Sequence, residues 1–220
     1  MSALFITGAG TEAGKTLTAC GLIAAARAMD RSVGAFKPVS SGFDPARAET
    51  SDAGRLLAAL GLPLTERTID DIAPLRFTAP LSPPDAARRE ARFLSLSDLE
   101  RLCRERMAAE SGLLLIEGAG GVMSPIADDG LNLDLIVRLD LPVVLAAANY
   151  LGAISHILTA LGVLRVKRLR VLAVVLHDLE SGEPDSADTA TSLRRYALGV
   201  PILTGTAWEN ALLDLAAAGG

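Results

Sequence analysis

Short apolar runs alternate along this chain with longer stretches whose apolar residues recur every three or four positions. The runs at 4–7, 33–38, 113–117, 143–148, 170–176 and 202–203 read as strands. Those at 113–116, 143–148 and 171–176 are apolar throughout instead of alternating, which suits strands covered on both faces of a parallel sheet. Helical patterns fill the gaps at 14–29, 52–60, 97–110, 132–139, 153–164 and 186–196. Ser97, with Glu100 three residues on, reads as a capping box opening the third of these helices. Pro80-Leu81-Ser82-Pro83-Pro84 reads as a loop between layers. No repeat or low-complexity tract interrupts the alternation. The pattern predicts one α/β domain over residues 1–220, with a mostly parallel central sheet and helices on both faces. Ligands of such sheets bind at the carboxyl ends of the strands.

Composition narrows the picture. The 220 residues are 50% hydrophobic, ample for one core, and the net charge of −5 gives no general attraction to nucleic acid or to an acidic membrane. Residues 141–164 hold no charge, but Pro142, Asn149, Tyr150, Gly152, Ser155, His156 and Thr159 break the stretch into strand, loop and helix, not a membrane span. The start of the chain enters a strand almost at once and has no basic leader, so a cytoplasmic protein is expected. Cys20 and Cys103 have no close cysteine neighbour, which argues against a disulfide framework or a cysteine metal site, and Cys20 reads as a small buried residue. Of the 21 basic residues only Lys15, Lys37 and Lys167 are lysine. A lysine retained among arginines suits a task for a compact point charge, such as meeting a phosphate.

Gly8-Ala9-Gly10-Thr11-Glu12-Ala13-Gly14-Lys15-Thr16 follows the first strand and opens the first helix. That order is the setting of a phosphate-binding P-loop: glycines let successive N–H groups point at one anion, and the helix adds its positive end. Lys15 would reach the outer phosphates, and the Thr16 hydroxyl would hold a magnesium ion. Five residues separate Gly8 from Gly14, one more than in the common pattern.

Further polar residues fall at strand ends or helix starts. Lys37, in Phe36-Lys37-Pro38-Val39-Ser40-Ser41-Gly42, is either a solvated strand-end lysine or a group aimed at the P-loop crevice, and Ser41 either forms a turn or touches substrate. Ser51 or Asp52 caps the helix that follows, unless Asp52 supplies the carboxylate that a magnesium ion on Thr16 requires. Glu117-Gly118-Ala119-Gly120-Gly121 follows an apolar strand, the Walker B arrangement in which the carboxylate reaches the metal. Asp128-Asp129 reads as a capped, solvated turn. Arg101, Arg104 and Arg106 among Glu100, Glu105 and Glu110 read as an ion-paired helix face.

Taken together these segments resemble the dethiobiotin synthetases. The resemblance rests on the loop Gly8–Thr16 with its extra residue, on Lys37-Pro38-Val39 with Ser41-Gly42, on Ser51-Asp52, and on Glu117-Gly118-Ala119-Gly120-Gly121. Leu141-Pro142-Val143, Leu151-Gly152 with Ile154 and His156, and Pro201 extend it over nearly the whole chain. It implies that 7,8-diaminopelargonic acid takes up CO2 as a carbamate, that ATP phosphorylates the carbamate, and that the second amine closes a cyclic urea. It further implies Lys15, Lys37 and Thr11 as catalytic residues, and magnesium on Thr16, Asp52 and Glu117. The nucleotide would lie against Glu12, Ala13, Gly14, Lys15, Thr16, Leu17, Glu117, Gly118, Ala119, Gly120, His177 and Asp178. Thr11, Lys37 and Ser41 would hold the carbamate. Gly152, Ala153 and Ile154 would bind the substrate carboxylate across the interface of a homodimer.

Two positions depart from that family. His177-Asp178 stands where an Asn-Asp pair usually meets the adenine, so loose base selectivity is expected, and Ser82-Pro83-Pro84-Asp85 lacks a histidine often found there. The rival from another class is a switch ATPase of the MinD/ParA type. Those carry an extra lysine early in the P-loop, where this chain has Ala9-Gly10-Thr11. A cobyrinate-type amidotransferase would need a glutaminase domain that this length does not hold.

Overall fold

In the computed structural model, residues 3–178, 184–197, 199–205 and 208–217 are described. Six parallel strands form the central sheet: β1 (Ala3–Gly8), β2 (Val33–Phe36), β3 (Leu113–Glu117), β4 (Val143–Ala148), β5 (Val171–His177) and β6 (Ile202–Leu203). Their spatial order is β6-β5-β4-β1-β3-β2. The chain therefore starts in the middle and winds outward both ways, which puts the end of β1 at a switch point where crevices open. Register fixes the neighbours: Ile6 lies beside Glu117, and Ala148 beside His177.

The helices are α1 (Lys15–Ala28), α2 (Asp52–Leu60), α3 (Glu66–Ile72), α4 (Pro83–Arg89), α5 (Leu96–Ala109), α6 (Asn132–Leu139), α7 (Ala153–Val166), α8 (Ser186–Arg194) and α9 (Trp208–Ala217). Alternation along β1 divides the core. Leu4 and Ile6 pack with Leu22 and Ile23 of α1, Leu56 of α2, Ile69 of α3 and Leu212 of α9. Ala3 and Phe5 point the other way, to Ala86 of α4, Leu99 of α5, Ile136 of α6, Ile157 of α7 and Leu193 of α8. Both faces of the sheet are dry, and each fully buried Leu, Ile or Phe contributes roughly 1.5–3 kcal/mol.

The predicted α/β architecture holds, with local corrections. The expected strand 33–38 stops at Phe36; Val39–Ser41 instead pairs in parallel with Leu75–Phe77, and Lys37 lies at the break. Ser95, not Ser97, caps α5 by accepting from the Asp98 N–H, and Ser97 instead takes a bond from Arg138. The Pro-rich loop opens α4, because proline is tolerated in a first helical turn, where its missing N–H would be unbonded anyway. Asp128 and Asp129 form a turn as expected, with Asp129 exposed, and they also accept from the Leu94 and Leu96 N–H groups and so pin the entry to α5. Cys20 is half-buried, whereas Cys103 is fully buried. The α5 face is ion-paired as expected, with Arg101–Glu105, Arg104–Glu100 and Arg106–Glu110. Among the described residues no helix is long and apolar enough to cross a membrane.

Candidate active site

The loop after β1, the carboxyl ends of β2 and β3 and the start of α2 bring the predicted residues Thr16, Lys37, Asp52 and Glu117 to one point, with Lys15 close by. Gly14 has φ 84°, a left-handed turn that lets α1 begin at Lys15 directly after the glycine loop. Glu12 also takes a positive φ, 55°, a strained conformation of the kind that collects at functional loops. Lys15 is buried, and burial together with the charge of Lys37 lowers its pKa.

Beneath the loop the polar groups close a ring. The Thr16 hydroxyl stands 2.9 Å from both Asp52 Oδ1 and Glu117 Oε1, with one proton to give to one of them at a time. Lys37 Nζ stands 2.6 Å from Glu117 Oε1 and 2.9 Å from Asp52 Oδ2. The side chains of Lys37 and Glu117 are almost wholly buried, while Asp52 opens to solvent at 40% exposure. Burial opposes the charge on Lys37, but Glu117 and Asp52 outweigh it and hold the ammonium above the ordinary lysine range. Burial likewise works against the Asp52 carboxylate, and Lys37 and Thr16 more than offset it, so its pKa lies below the usual value. Ser51 caps α2 by accepting from the Gly54 N–H, which leaves the Asp52 side chain free to turn into the ring.

The donor set suits a hard divalent cation: two carboxylates and a hydroxyl, all oxygen, with phosphate and water to complete the shell. Glu117 Oε2 is buried without a hydrogen-bond partner among the described residues, an orphan acceptor of the kind a metal satisfies. Among the described residues no group of three or more His, Cys, Asp or Glu side chains offers an alternative metal site.

Asn132 is the residue that sequence reasoning missed. Fully buried at the start of α6, it accepts from the Ala119 N–H and donates to the carbonyls of Ala119 and Gly121. It thereby holds the loop Gly118–Gly121 in shape. A Cβ at Gly118 would sit 2.5 Å from the Asn132 amide oxygen, so glycine is required there. The only sequence signal was a polar residue inside an apolar helix face, which also reads as a cap.

With this geometry in view, comparison with known proteins identifies the lineage. A family model described as an AAA domain matches residues 2–211. The ATP-dependent dethiobiotin synthetase BioD of Phenylobacterium zucineum is 52% identical over 225 residues, covering 99% of this chain and 96% of that protein. Its counterpart in Caulobacter vibrioides is 47% identical, covering 98% and 99%, and that of Methylobacterium nodulans 43% identical, covering 92% of each. The chain belongs to the dethiobiotin synthetases. The structure of a ParA family ATPase from Chlorobium tepidum shares the fold, with a TM-score of 0.54 at 13% identity over 99% of this chain and 90% of that one.

Other positions expected to be functional in a dethiobiotin synthetase lie around this centre. Thr11 is exposed, and with Ala153, Tyr150 and His156 it lines a cavity of about 30 Å³, room for one water. Gly152 takes φ 104° ahead of α7, and Ile154 packs on the core, so the segment expected at a partner's site also borders this chain's own P-loop. Ala13 and Ala119 are buried, Leu17 is exposed and Ser41 half-buried. Asp178 accepts from the Asn149 amide at 2.8 Å. His177 is wedged under the P-loop: its Nε2 lies 2.7 Å from the Thr18 hydroxyl, its ring stands edge-on to Trp208, and a Cβ at Gly14 would overlap its Cδ2. Burial lowers its pKa to about 4, so the ring is neutral near pH 7.

Proposed function

We propose that this chain forms dethiobiotin from 7,8-diaminopelargonic acid, CO2 and ATP, as a cytoplasmic homodimer. The observation that carries the reading is the convergence of Thr16, Lys37, Asp52 and Glu117 on one point beside the glycine loop, with Lys15 near enough to act on Lys37, Glu117 and Asp52 through its charge, in a chain of this family. Phosphoryl transfer asks a protein for alignment and charge stabilisation more than for a nucleophile, and this site offers cations and backbone N–H groups.

In the first step one amine of the substrate adds to the carbon of CO2 and loses a proton, giving a carbamate. The carbamate oxygen then attacks the γ-phosphorus of ATP; ADP leaves and a carbamic-phosphoric anhydride forms. The second amine attacks the carbonyl carbon, inorganic phosphate departs, and a five-membered urea closes. Neighbouring amines make this last step intramolecular and fast.

The glycine loop with Glu12 to Leu17 cradles the phosphates, and Lys15 meets the charge that builds on them. Thr11, Lys37 and Ser41 orient the carbamate. Thr16, Asp52 and Glu117 would hold Mg²⁺, which would supply neutralisation of the phosphate charge. Gly118 to Gly120 and Asp178 border the nucleotide, and His177 stands behind Gly14, beneath the P-loop. The N–H groups of Gly152, Ala153 and Ile154, at the positive end of α7, receive the substrate's carboxylate tail from the partner subunit.

The test is product formation from the diamine, bicarbonate, Mg²⁺ and ATP, read by mass spectrometry alongside phosphate release. Dethiobiotin appearing in step with phosphate, only when the diamine is present, is the expected result. Phosphate release indifferent to the diamine would sink the reading and point to a switch ATPase.

A further inference from the structure

Thr16, Asp52, Lys37 and Glu117 form a closed ring in which, among the described residues, the ammonium is the only cation in direct contact with both carboxylates. Its Nζ lies 2.6 Å from Glu117 Oε1, the same oxygen that the Thr16 hydroxyl reaches at 2.9 Å. A divalent ion would need oxygens of these same two carboxylates at about 2.0–2.1 Å, and Glu117 Oε2 stands open to it. An ammonium on Glu117 Oε1 and Asp52 Oδ2 would then lie within a few ångströms of the ion, and two cations that close in a buried cage repel strongly. We infer that Lys37 is a stand-in cation: its ammonium and the divalent metal hold one oxygen cage by turns, and entry of the metal releases Lys37 toward the phosphate and carbamate.

The local structure suits such an exchange. The Lys37 N–H donates to the Ile72 carbonyl at 2.8 Å and Pro38 follows, so the backbone is fixed and only the side chain has to move. Lysine has a flexible four-carbon stem and three rotatable donors; the rigid fork of arginine, which this chain otherwise prefers, cannot trade places with a small ion in the same way. Solvent reaches the ring at Asp52, which gives an ion a way in. Two facing carboxylates repel when no cation lies between them, so the ammonium keeps the cage assembled until it is replaced. Displacing a paired, buried cation is costly. The metal is therefore expected to bind well only with a triphosphate, whose oxygens give the released ammonium a new partner.

The inference rests on the assignment of the metal to Thr16, Asp52 and Glu117 made above. Mn²⁺ binding, followed by electron paramagnetic resonance without nucleotide, tests it. Lys37→Met is expected to bind Mn²⁺ about tenfold more tightly than the unaltered protein, or better. Lys15→Met is the control, because Lys15 also acts on both carboxylates through its charge. It is expected to change Mn²⁺ affinity less than about threefold. Equal gains in both variants, or none in Lys37→Met, would overturn the inference.

If Lys37→Met does not fold, the unaltered protein still answers. With three lysines in the chain, the Nζ resonances in a ¹⁵N-lysine sample are few enough to assign. The Lys37 signal is expected to move as Mg²⁺ saturates its site, and Mg²⁺ binding with that signal unmoved would overturn the exchange. Failure of the unaltered protein to take up Mn²⁺ beside a non-hydrolysable ATP analogue would remove the metal assignment and the inference with it. None of these measurements reads ligase turnover, so their failure and failure of the ligase reading are separate results.

Discussion

Lys37 and Glu117 stand 80 positions apart in the chain, yet their charged atoms meet at 2.6 Å with both side chains out of water. Neither has a reason to be buried without the other: an ammonium or carboxylate alone in that place would face the full cost of desolvation. The pair exists because β2 and β3 are neighbours in the sheet, with Phe36 beside Ile116, so the next residue on each strand points into one crevice.

Removing that ammonium separates chemistry from binding. Lys37→Ala is expected to lower dethiobiotin turnover by about 10²–10³-fold, the usual cost of losing one group that stabilises developing charge. A non-hydrolysable ATP analogue should still bind within a few-fold of its normal affinity, because the glycine loop and Lys15 remain. Calorimetric titration beside the turnover assay checks both halves, and a variant with near-normal turnover would refute the role given to Lys37.

Asn132 carries a structural prediction. Replacing it by alanine leaves the Ala119 N–H and the carbonyls of Ala119 and Gly121 without their buried partner. A stability loss of about 2 kcal/mol or more is expected in urea denaturation. Turnover should fall as well, since the freed loop directly follows Glu117. An Asn132→Ala protein as stable as the parent would mean that water or a backbone shift repairs the loop.

His177 predicts a pH dependence. Its pKa falls from 6.5 in the open chain to about 4 in the fold, chiefly through burial, so between those values the unfolded chain binds more protons. Stability is therefore complete above about pH 6.5 and is lost as the pH falls toward 4, by about 3 kcal/mol from this residue. Urea denaturation of the parent and of His177→Gln from pH 4.5 to 7 tests the sign. The difference between them should shrink as the pH falls, and a difference that stays constant would rule the prediction out.

Much of this site was legible because its residues carry local signals. The glycine loop sits between an apolar strand and a helix, and Lys37, Asp52 and Glu117 each fall where a strand ends or a helix starts. What joins them is sheet order, and sheet order has no local signature. Asn132 escaped notice because its partners lie 8 to 13 residues back, across a turn that periodicity does not describe. The helix α3 escaped for another reason: its sequence, ERTIDDI, buries only Ile69 and Ile72, and its start depends on a mutual cap between Thr65 and Thr68 that resembles an ordinary polar loop. His177 was legible as a position but not as a pose. Its chain address put it beside the nucleotide, while its ring turns beneath Gly14 to reach Thr18.

That pose gives the chain a built-in optical reporter. Trp208 is the only indole in the sequence, and it stands 5.6 Å from His177, edge to face, while also covering Gly21 of α1. Its emission comes from a single known place, one ring away from the glycine turn at Gly14. Events at the P-loop can therefore be followed in the unlabelled protein, in real time, by the light of one residue at the far end of the chain.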